Sequence, residues 1–420
     1  MKREQQAITA AVPETAGMPL LQDLQAQLKE LDDKHLLRQR RTVDQVRGAH
    51  YKTDGQNLLG FCSNDYLGLA THPAVVQALQ EGAAKYGAGS GASHLISGHS
   101  RAHAALEEQL AAWMSPCIDQ ARALYFCTGY MANLAVVTAL SGKDAAVFSE
   151  ELNHASIIDA VRLSRAEAHI FRHGDLTQLE QQLQACTLRK KLVVTDSVFS
   201  MDGNIADIPA LLRLCEQYDA WLLVDDAHGF GVLGEHGRGV LEHFSLRSPN
   251  LIYMGTLGKA AGVGGAFVTA HETVIEWLIQ KARPYIYTTA AAPALAHALQ
   301  TSIALISGDE GKQRRQHLRQ LIRMFSNGLN LRDWNLLPSQ TAIQPVVIGD
   351  NAAMLQAAEN LRKQGYWVGA IRPPTVPAGT ARLRVTLTAA HQVSDVHMLV
   401  QAMNRMNQMA YIAQCFAEVA

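Results

Sequence analysis

The stretch Trp221-Leu222-Leu223-Val224-Asp225-Asp226-Ala227-His228-Gly229 decides the fold. Its apolar run reads as a buried strand, and two carboxylates and a histidine follow at the carboxyl end. In open α/β sheets that edge is where ligands bind. An acid there can hold a cationic ring nitrogen, and the histidine can reach the same ligand; alternatively, the aspartate caps the next helix. Some thirty residues on, Ile252-Tyr253-Met254-Gly255-Thr256-Leu257-Gly258-Lys259 repeats the pattern. Here a small-residue turn presents one lysine beside one hydroxyl. The apolar and small flank Ala260-Ala261-Gly262-Val263-Gly264-Gly265 argues against a solvated surface lysine, and a lysine so held suits a Schiff base.

Outward from these two strands, apolar runs recur at 123–127, 145–149, 168–172, 191–196 and 263–268. Helical patterns lie between and before them at 73–86, 101–114, 177–185 and 207–218. Such alternation predicts an α/β fold: a mostly parallel central sheet with helices on both faces. After about residue 305 the character changes. A charged helix at 310–329, strands at 342–348 and 382–387, a helix at 351–364 and a helical tail after His391 predict a smaller α+β domain. Leu20, Leu21, Leu24, Leu28 and Leu31 predict a helix over 18–47, and a short strand follows at 57–61. The expected division is an N-terminal helical segment 1–58, a large domain 59–304 and a small domain with its tail at 305–420.

Composition narrows the function classes. The 420 residues are 48% hydrophobic and 18% charged, which is globular rather than disordered. Lys plus Arg number 37 against 38 Asp plus Glu, so no electrostatic footprint for nucleic acid or an anionic membrane is expected. The uncharged stretch 284–308 contains Pro284, Pro293, His297 and Gln300, and reads as a buried turn and helix rather than a membrane span. Six cysteines without a C-x-x-C pair, and no apolar run after Met1-Lys2-Arg3-Glu4, predict a cytoplasmic protein without disulfides.

Other strand ends carry possible chemistry. Phe126-Cys127-Thr128-Gly129-Tyr130-Met131-Ala132-Asn133 is a strand, a glycine turn and a helix start, whose free N–H groups suit a phosphate. His154 follows an apolar strand and can stack on a planar ligand or serve structure only. Ser200 offers a hydroxyl after the strand at 191–196, or a plain turn. Two motifs mislead. Gly87-Ala88-Gly89-Ser90-Gly91-Ala92 fits a dinucleotide fingerprint but follows a helical pattern instead of a strand. His99 and His103 stand four apart, yet no glutamate follows His99 and no third ligand is evident, so no metal is expected.

The order of the pieces is more specific than any one of them. Glycine turn, histidine, serine, Asp-x-x-His and lysine supply a phosphate anchor, a ring stacker, phenol-oxygen partners, a pyridinium partner and an amine. That inventory matches pyridoxal 5′-phosphate. On these residues, with Ser63-Asn64-Asp65-Tyr66-Leu67-Gly68-Leu69, Gly89-Ser90-Gly91 and Asn153-His154-Ala155-Ser156, the chain from about 20 to 405 resembles the α-oxoamine synthases, fold-type I pyridoxal-phosphate transferases.

The resemblance implies roles. Lys259 would hold the cofactor and move the Cα proton. Asp225 would pair with the pyridine nitrogen, His228 and Ser200 would sit near the phenolic oxygen, and His154 would stack on the ring. Gly129, Tyr130 and Thr256 would hold the phosphate, and Thr288 or Thr289 would reach the other subunit's phosphate in a homodimer with active sites at the subunit interface. Asn64 and Arg372 would bind the amino-acid carboxylate, and Arg38 and Thr375 would contact substrate. The segment 370–384, Ala-Ile-Arg-Pro-Pro-Thr-Val-Pro-Ala-Gly-Thr-Ala-Arg-Leu-Arg, resembles the members that condense L-alanine with a pimeloyl thioester, on acyl carrier protein or coenzyme A, with loss of carbon dioxide. Glycine-using relatives, which carry acetyl or succinyl groups, usually differ there. A non-catalytic protein of the same fold is opposed by Lys259, Asp225 and His228. Departures at Ala260, Ala261, Phe230 and His94 are expected to reshape the acyl pocket.

Overall fold

The computed structural model describes residues 19–419, with side chains as far as residue 408. The reading made on Met1 to Glu4 and the side chain of Cys415 lie outside the described residues.

Among the described residues, fourteen strands form two sheets of seven. They are β1 (Val43–Arg47), β2 (His50–Thr53), β3 (Gln56–Phe61), β4 (Ala121–Phe126), β5 (Ala145–Glu150), β6 (Glu167–Phe171) and β7 (Lys190–Asp196). Then follow β8 (Trp221–Asp225), β9 (Leu251–Thr256), β10 (Ala266–His271), β11 (Asn335–Leu336), β12 (Ile343–Gly349), β13 (Tyr366–Ile371) and β14 (Ala381–Thr386). The larger sheet has the order β4-β10-β9-β8-β7-β5-β6. Its pairs are parallel except those that β10 makes with β4 and β9. The mostly parallel α/β architecture read from the sequence is the one observed.

Alternation along β8 explains why Leu222, Leu223 and Val224 are all apolar. Leu222 and Val224 enter a core with Phe148, Val193, Tyr253 and Phe267, whereas Leu223 enters a second core with Val147, Val194, Ile252 and Met254. Both faces are covered, as parallel sheets require. Each such side chain stabilises the fold by about 1.5–3 kcal/mol. The first core continues into Val346, Leu383, Val385 and Leu399, so the second sheet is packed onto the first through apolar contacts.

The second sheet runs β1-β2-β3-β13-β14-β12-β11, with only β3 and β13 parallel. The N-terminal segment therefore differs from the expectation. The helix covers Pro19–Asp33, and the chain to residue 58 is largely strand rather than helix. His35, at φ 55°, ends the helix, with Leu36 N–H donating to Leu31 O at 2.7 Å. Asp54 and Gly55, at φ 50° and 74°, then turn β2 into β3, the Asp-Gly signal of a tight hairpin. β13 was equally unmarked by alternation; it opens after Gly365 at φ 93°.

The uncharged stretch forms the helices Arg283–Ile286 and Pro293–Ser307, the latter packed through Ala296, Leu299 and Ile303. Among the described residues no helix is long and apolar enough to cross a membrane. Cys62, Cys117, Cys127, Cys186 and Cys215 are free thiols. Phe230 is fully buried between Trp113 and Phe267, at ring centroid distances of 5.4 and 5.1 Å. Ala260 and Ala261 are buried in the same core. The structure places these departures in the packed core, with Phe230 against Trp113 and Phe267.

Candidate active site

Register aligns the polar strand ends. Asp196 and Asp225 are paired neighbours on β7 and β8, and Asp225 lies opposite Met254 on β9, one turn from Thr256 and Lys259. Over this carboxyl edge opens a cavity of about 190 Å³, lined among others by Gly129, His154, Ser200, Asp225, His228 and Lys259. Residues separated by up to 130 positions thus face one space, because each terminates an element of the same sheet layer.

Lys259 is the cation of the cavity. Its Nζ lies 2.9 Å from Nε2 of His228, and His228 Nδ1 lies 2.5 Å from the Tyr66 hydroxyl. Tyr66 donates onward to Asn64 Oδ1 at 3.2 Å, and Arg384 donates to the same oxygen at 3.2 Å. Burial, opposed by Asp225 and Asp196, brings the Lys259 amine down to about 8. Burial first, and then the Lys259, Arg384 and His154 charges, hold His228 well below the usual imidazole range. His228 is therefore neutral. With Lys259 protonated, the chain runs from Nζ–H to Nε2, from Nδ1–H to the Tyr66 oxygen, and from Tyr66 O–H to Asn64.

Asp225 is a carboxylate with both oxygens held. Oδ2 accepts from Asn133 Nδ2 at 2.7 Å, and Oδ1 accepts from Ala227 N–H at 3.0 Å. Asn133 also donates to Ser156 Oγ at 2.9 Å, and that hydroxyl meets His154 Nδ1 at 2.7 Å. The His154 backbone N–H is held by Asp196 Oδ2 at 3.1 Å, so β7 positions the ring over the strand end of β8. Asp226 points the other way, where Ser197, Tyr253 Oη and Val240 N–H donate to it; burial pushes its carboxyl up to about 7. Of the two adjacent aspartates, only Asp225 faces the cavity.

The glycine turn lies at the opposite end. Thr128 caps the helix Gly129–Leu140 by accepting from Met131 N–H at 3.2 Å, which leaves the first N–H groups directed at the cavity. A Cβ on Gly129 would stand 2.8 Å from Thr256 Cγ2, so glycine lets the two walls close together. Tyr130 lines the mouth, 43% exposed, with its hydroxyl on Asp159.

Other expected residues stand apart from this cavity. Thr288 is half-buried and Thr289 exposed; they do not line it, and Thr289 bridges to Ser93. Arg372 donates to Leu37 O at 2.7 Å, with the exposed Arg38 next in the chain, and its buried Nε has no hydrogen-bond partner among the described residues. Thr375 is exposed, and its N–H donates to Arg372 O.

Several residues escaped the sequence reading. Asn133 and Ser156 bear on Asp225, Asp196 on His154, and Tyr66 on His228. Arg384, buried on β14, touches Asn64 and donates from Nε to Ser200 O at 2.6 Å. Asp196 did carry a signal, since it ends an apolar run as Asp225 does. Arg384 carried none, because its partners are set by packing between the sheets.

These groups fit pyridoxal phosphate. An amine, a buried carboxylate held by two donors, an imidazole beside it and a helix N-terminus share one cavity, and Asn133 Oδ1 is buried there without a partner. Residues 56–403 match the family model described as aminotransferase class I and II. The chain is 63% identical over 389 residues to 8-amino-7-oxononanoate synthase of Janthinobacterium sp. (strain Marseille), covering 93% of this chain and 99% of that protein. Serine palmitoyltransferase from S. paucimobilis, solved with bound PLP and myriocin, superposes with a TM-score of 0.84 at 29% identity, over 93% of this chain and 98% of that one. The crystal structure of 8-amino-7-oxononanoate synthase from Francisella tularensis gives 0.71 at 29% identity, over 84% and 99%. The chain belongs to the 8-amino-7-oxononanoate synthase family, pyridoxal-phosphate-dependent acyltransferases within aminotransferase class I and II.

Proposed function

We propose that the protein condenses L-alanine with a pimeloyl thioester, on acyl carrier protein or coenzyme A, to give 8-amino-7-oxononanoate, carbon dioxide and the free thiol. The observation that carries this is the cavity in which the buried Lys259 amine faces Asp225, His154 and the Gly129 helix start together. When bound, pyridoxal phosphate supplies a protonated ring that delocalises negative charge from the amino-acid Cα.

Every other task falls to this chain. Lys259 holds the cofactor through Nζ and then carries the Cα proton on that atom, a role suited to an amine brought down to about 8. Asp225, kept as a fixed acceptor by Asn133 and Ala227, keeps the ring nitrogen protonated. His154 stacks on the ring, and His228 with Ser200 orients its phenolic oxygen. Gly129 and Tyr130 N–H groups and the Thr256 hydroxyl anchor the phosphate.

The arginines divide the carboxylates. Arg384 stands with Asn64 beside the His228 relay, and we assign the alanine carboxylate to this pair. Arg372, with its unpartnered Nε, and Arg38 and Thr375 then take the acyl substrate, whose far end carries a carboxylate. This reassigns Arg372 from the amino acid to the acyl group.

Residues 59–304 carry the cofactor and 305–420 form the small domain, to which the parallel pairing of β3 with β13 ties residues 43–61. The working unit is a homodimer in the cytoplasm. Support comes from the leucines of the first helix, which lie 40–81% exposed on one stripe, and from Thr288 and Thr289, which do not line their own subunit's cavity. Neither nucleic acid nor membrane takes part.

The test is mass-spectrometric product analysis with three substrate pairs: pimeloyl-CoA with L-alanine, acetyl-CoA with glycine, and succinyl-CoA with glycine. An 8-amino-7-oxononanoate peak from the first pair alone is expected. Product from a glycine pair instead would overturn the substrate assignment.

A further inference from the structure

Outside the cofactor cavity, three imidazoles converge behind β4. One nitrogen each of His94, His99 and His103 lies within 4.8 Å of the corresponding nitrogen of both others. His94 comes from the π-helical turn His94–Gly98, His99 from the residue that ends it, and His103 from the first turn of the helix Arg101–Met114. The two-histidine spacing visible in the sequence thus acquires the third ligand that it lacked.

We propose that His94, His99 and His103 bind one borderline divalent transition-metal ion, with Zn²⁺ as the representative. Nδ1 of His94 and Nδ1 of His99 stand 3.0 Å apart. Ligands about 2.0–2.1 Å from a tetrahedral zinc have edges of roughly 3.3 Å, so these two atoms need to move only slightly. Imidazole donors without thiolate select zinc, nickel, cobalt or copper over magnesium or calcium.

The outer contacts have the form that metal-binding histidines use. His103 Nε2–H donates to Ala291 O at 2.9 Å, which leaves Nδ1 with the lone pair. The face of His99 remote from His94 turns to Glu107, with Nε2 3.9 Å from Oε2. Glu107 is itself fixed by Tyr125 N–H, which donates to Oε1 at 2.9 Å. His94 is stacked on Tyr285 at 4.6 Å between centroids and an interplanar angle of 11°. Burial lowers all three imidazoles from their ordinary value, which favours the neutral form that a metal ligand needs. The His99 side chain is 31% exposed and gives the ion a path from solvent.

Three contacts compete: His94 Nδ1 and His99 Nδ1 share a hydrogen bond, and His103 Nδ1 accepts from Ser100 N–H at 3.0 Å and from the Ser100 hydroxyl at 3.1 Å, closing the helix cap; a metal would take over these lone pairs. These are hydrogen bonds between neutral groups, each weaker than the imidazole–metal bond that would replace it. The bound ion would clip the turn 94–98 to the helix Arg101–Met114 and, through Tyr285, to the segment that carries Thr288 and Thr289.

The experiment is calorimetric titration of Zn²⁺ into the pyridoxal-phosphate-loaded protein, in which the cofactor occupies the lysine cavity. Wild type should bind one equivalent per chain at this site, and its thermal midpoint should rise with zinc. X-ray absorption should show a nitrogen shell at about 2.0–2.1 Å. His99→Gln, at a partly exposed position, should weaken that equivalent at least tenfold, and Glu107→Gln by about tenfold. His94→Gln provides an independent second ligand variant, with circular dichroism to verify the fold. Zinc affinity unchanged in both His99→Gln and His94→Gln, an oxygen-only shell, or no bound equivalent would overturn the site.

Discussion

Lys259 Nζ and His228 Nε2 stand 2.9 Å apart at the ends of neighbouring parallel strands, joining the cavity's amine to a relay that reaches Tyr66, Asn64 and Arg384. Two consequences meet in this contact. His228 restrains the amine without neutralising it, since burial keeps the imidazole uncharged. The relay also couples the site of proton transfer to the proposed carboxylate pair, so that filling one is felt at the other.

Lys259→Ala should abolish turnover and the lysine-dependent absorbance of the bound cofactor. The far-ultraviolet circular dichroism should stay that of wild type, because truncating Lys259 removes no apolar packing. Turnover by this variant at wild-type rate would sink the assignment.

The Lys259 amine titrates at about 8. Below that pH it is protonated and cannot attack an aldehyde; above it the lone pair is free. Capture of pyridoxal phosphate by the cofactor-free chain should therefore accelerate about tenfold per pH unit up to 8 and level off above. Stopped-flow absorbance measures this, and a plateau that starts only near 10 would contradict the burial argument.

Asn133→Ala should lower kcat without removing the cofactor. It deletes a 2.7 Å hydrogen bond to the Asp225 carboxylate, and bonds to charged groups are worth about 1.5–3 kcal/mol. A kcat loss of about 10–100-fold is expected, and Asp225→Ala should lose more. Equal kcat in Asn133→Ala and wild type would deny the positioning role.

The two arginine pairs should separate kinetically. Arg384→Gln should raise the alanine KM about 10–100-fold with little change in the thioester KM, and Arg372→Gln should do the reverse. An alanine KM that follows Arg372 instead would restore the assignment the family resemblance first implies.

Gly129→Ala should weaken cofactor binding, because its Cβ would meet Thr256 Cγ2 at 2.8 Å. Adding Thr256→Ser removes that methyl and keeps the hydroxyl, so the double variant should recover most of the affinity. Equilibrium dialysis of pyridoxal phosphate gives the comparison; a double variant no better than the single one would mean that the backbone, not the methyl, is the obstacle.

The strand ends were legible because each carries its own punctuation. Val224-Asp225 and Thr195-Asp196 each end an apolar run, and Gly129 and Lys259 sit in small-residue turns that no core position explains. The N-terminal strands were harder. Leucines spaced for a helix up to Leu31 suggested that the helix continued, and the Asp54-Gly55 turn, which marks the β2–β3 hairpin, was masked by polar neighbours, Lys52, Thr53, Gln56 and Asn57. Phe230 shows what packing adds: it lies next in sequence to the site loop, and its side chain fills the core against Trp113.

From the sequence came the α/β class, because hydrophobic period and turn chemistry are local properties of the chain, and, through the resemblance of its motifs to a known family, the cofactor and the groups expected to serve it. Tertiary structure alone decided which groups act together. Asn133 meets Asp225 across 92 positions, Arg384 meets Asn64 across 320, and His94 joins His99 and His103 where the helix spacing left a pair. Those encounters follow from strand order, register and the packing of one sheet on another. All three are set by burying apolar surface over the whole chain, which no short window of residues encodes.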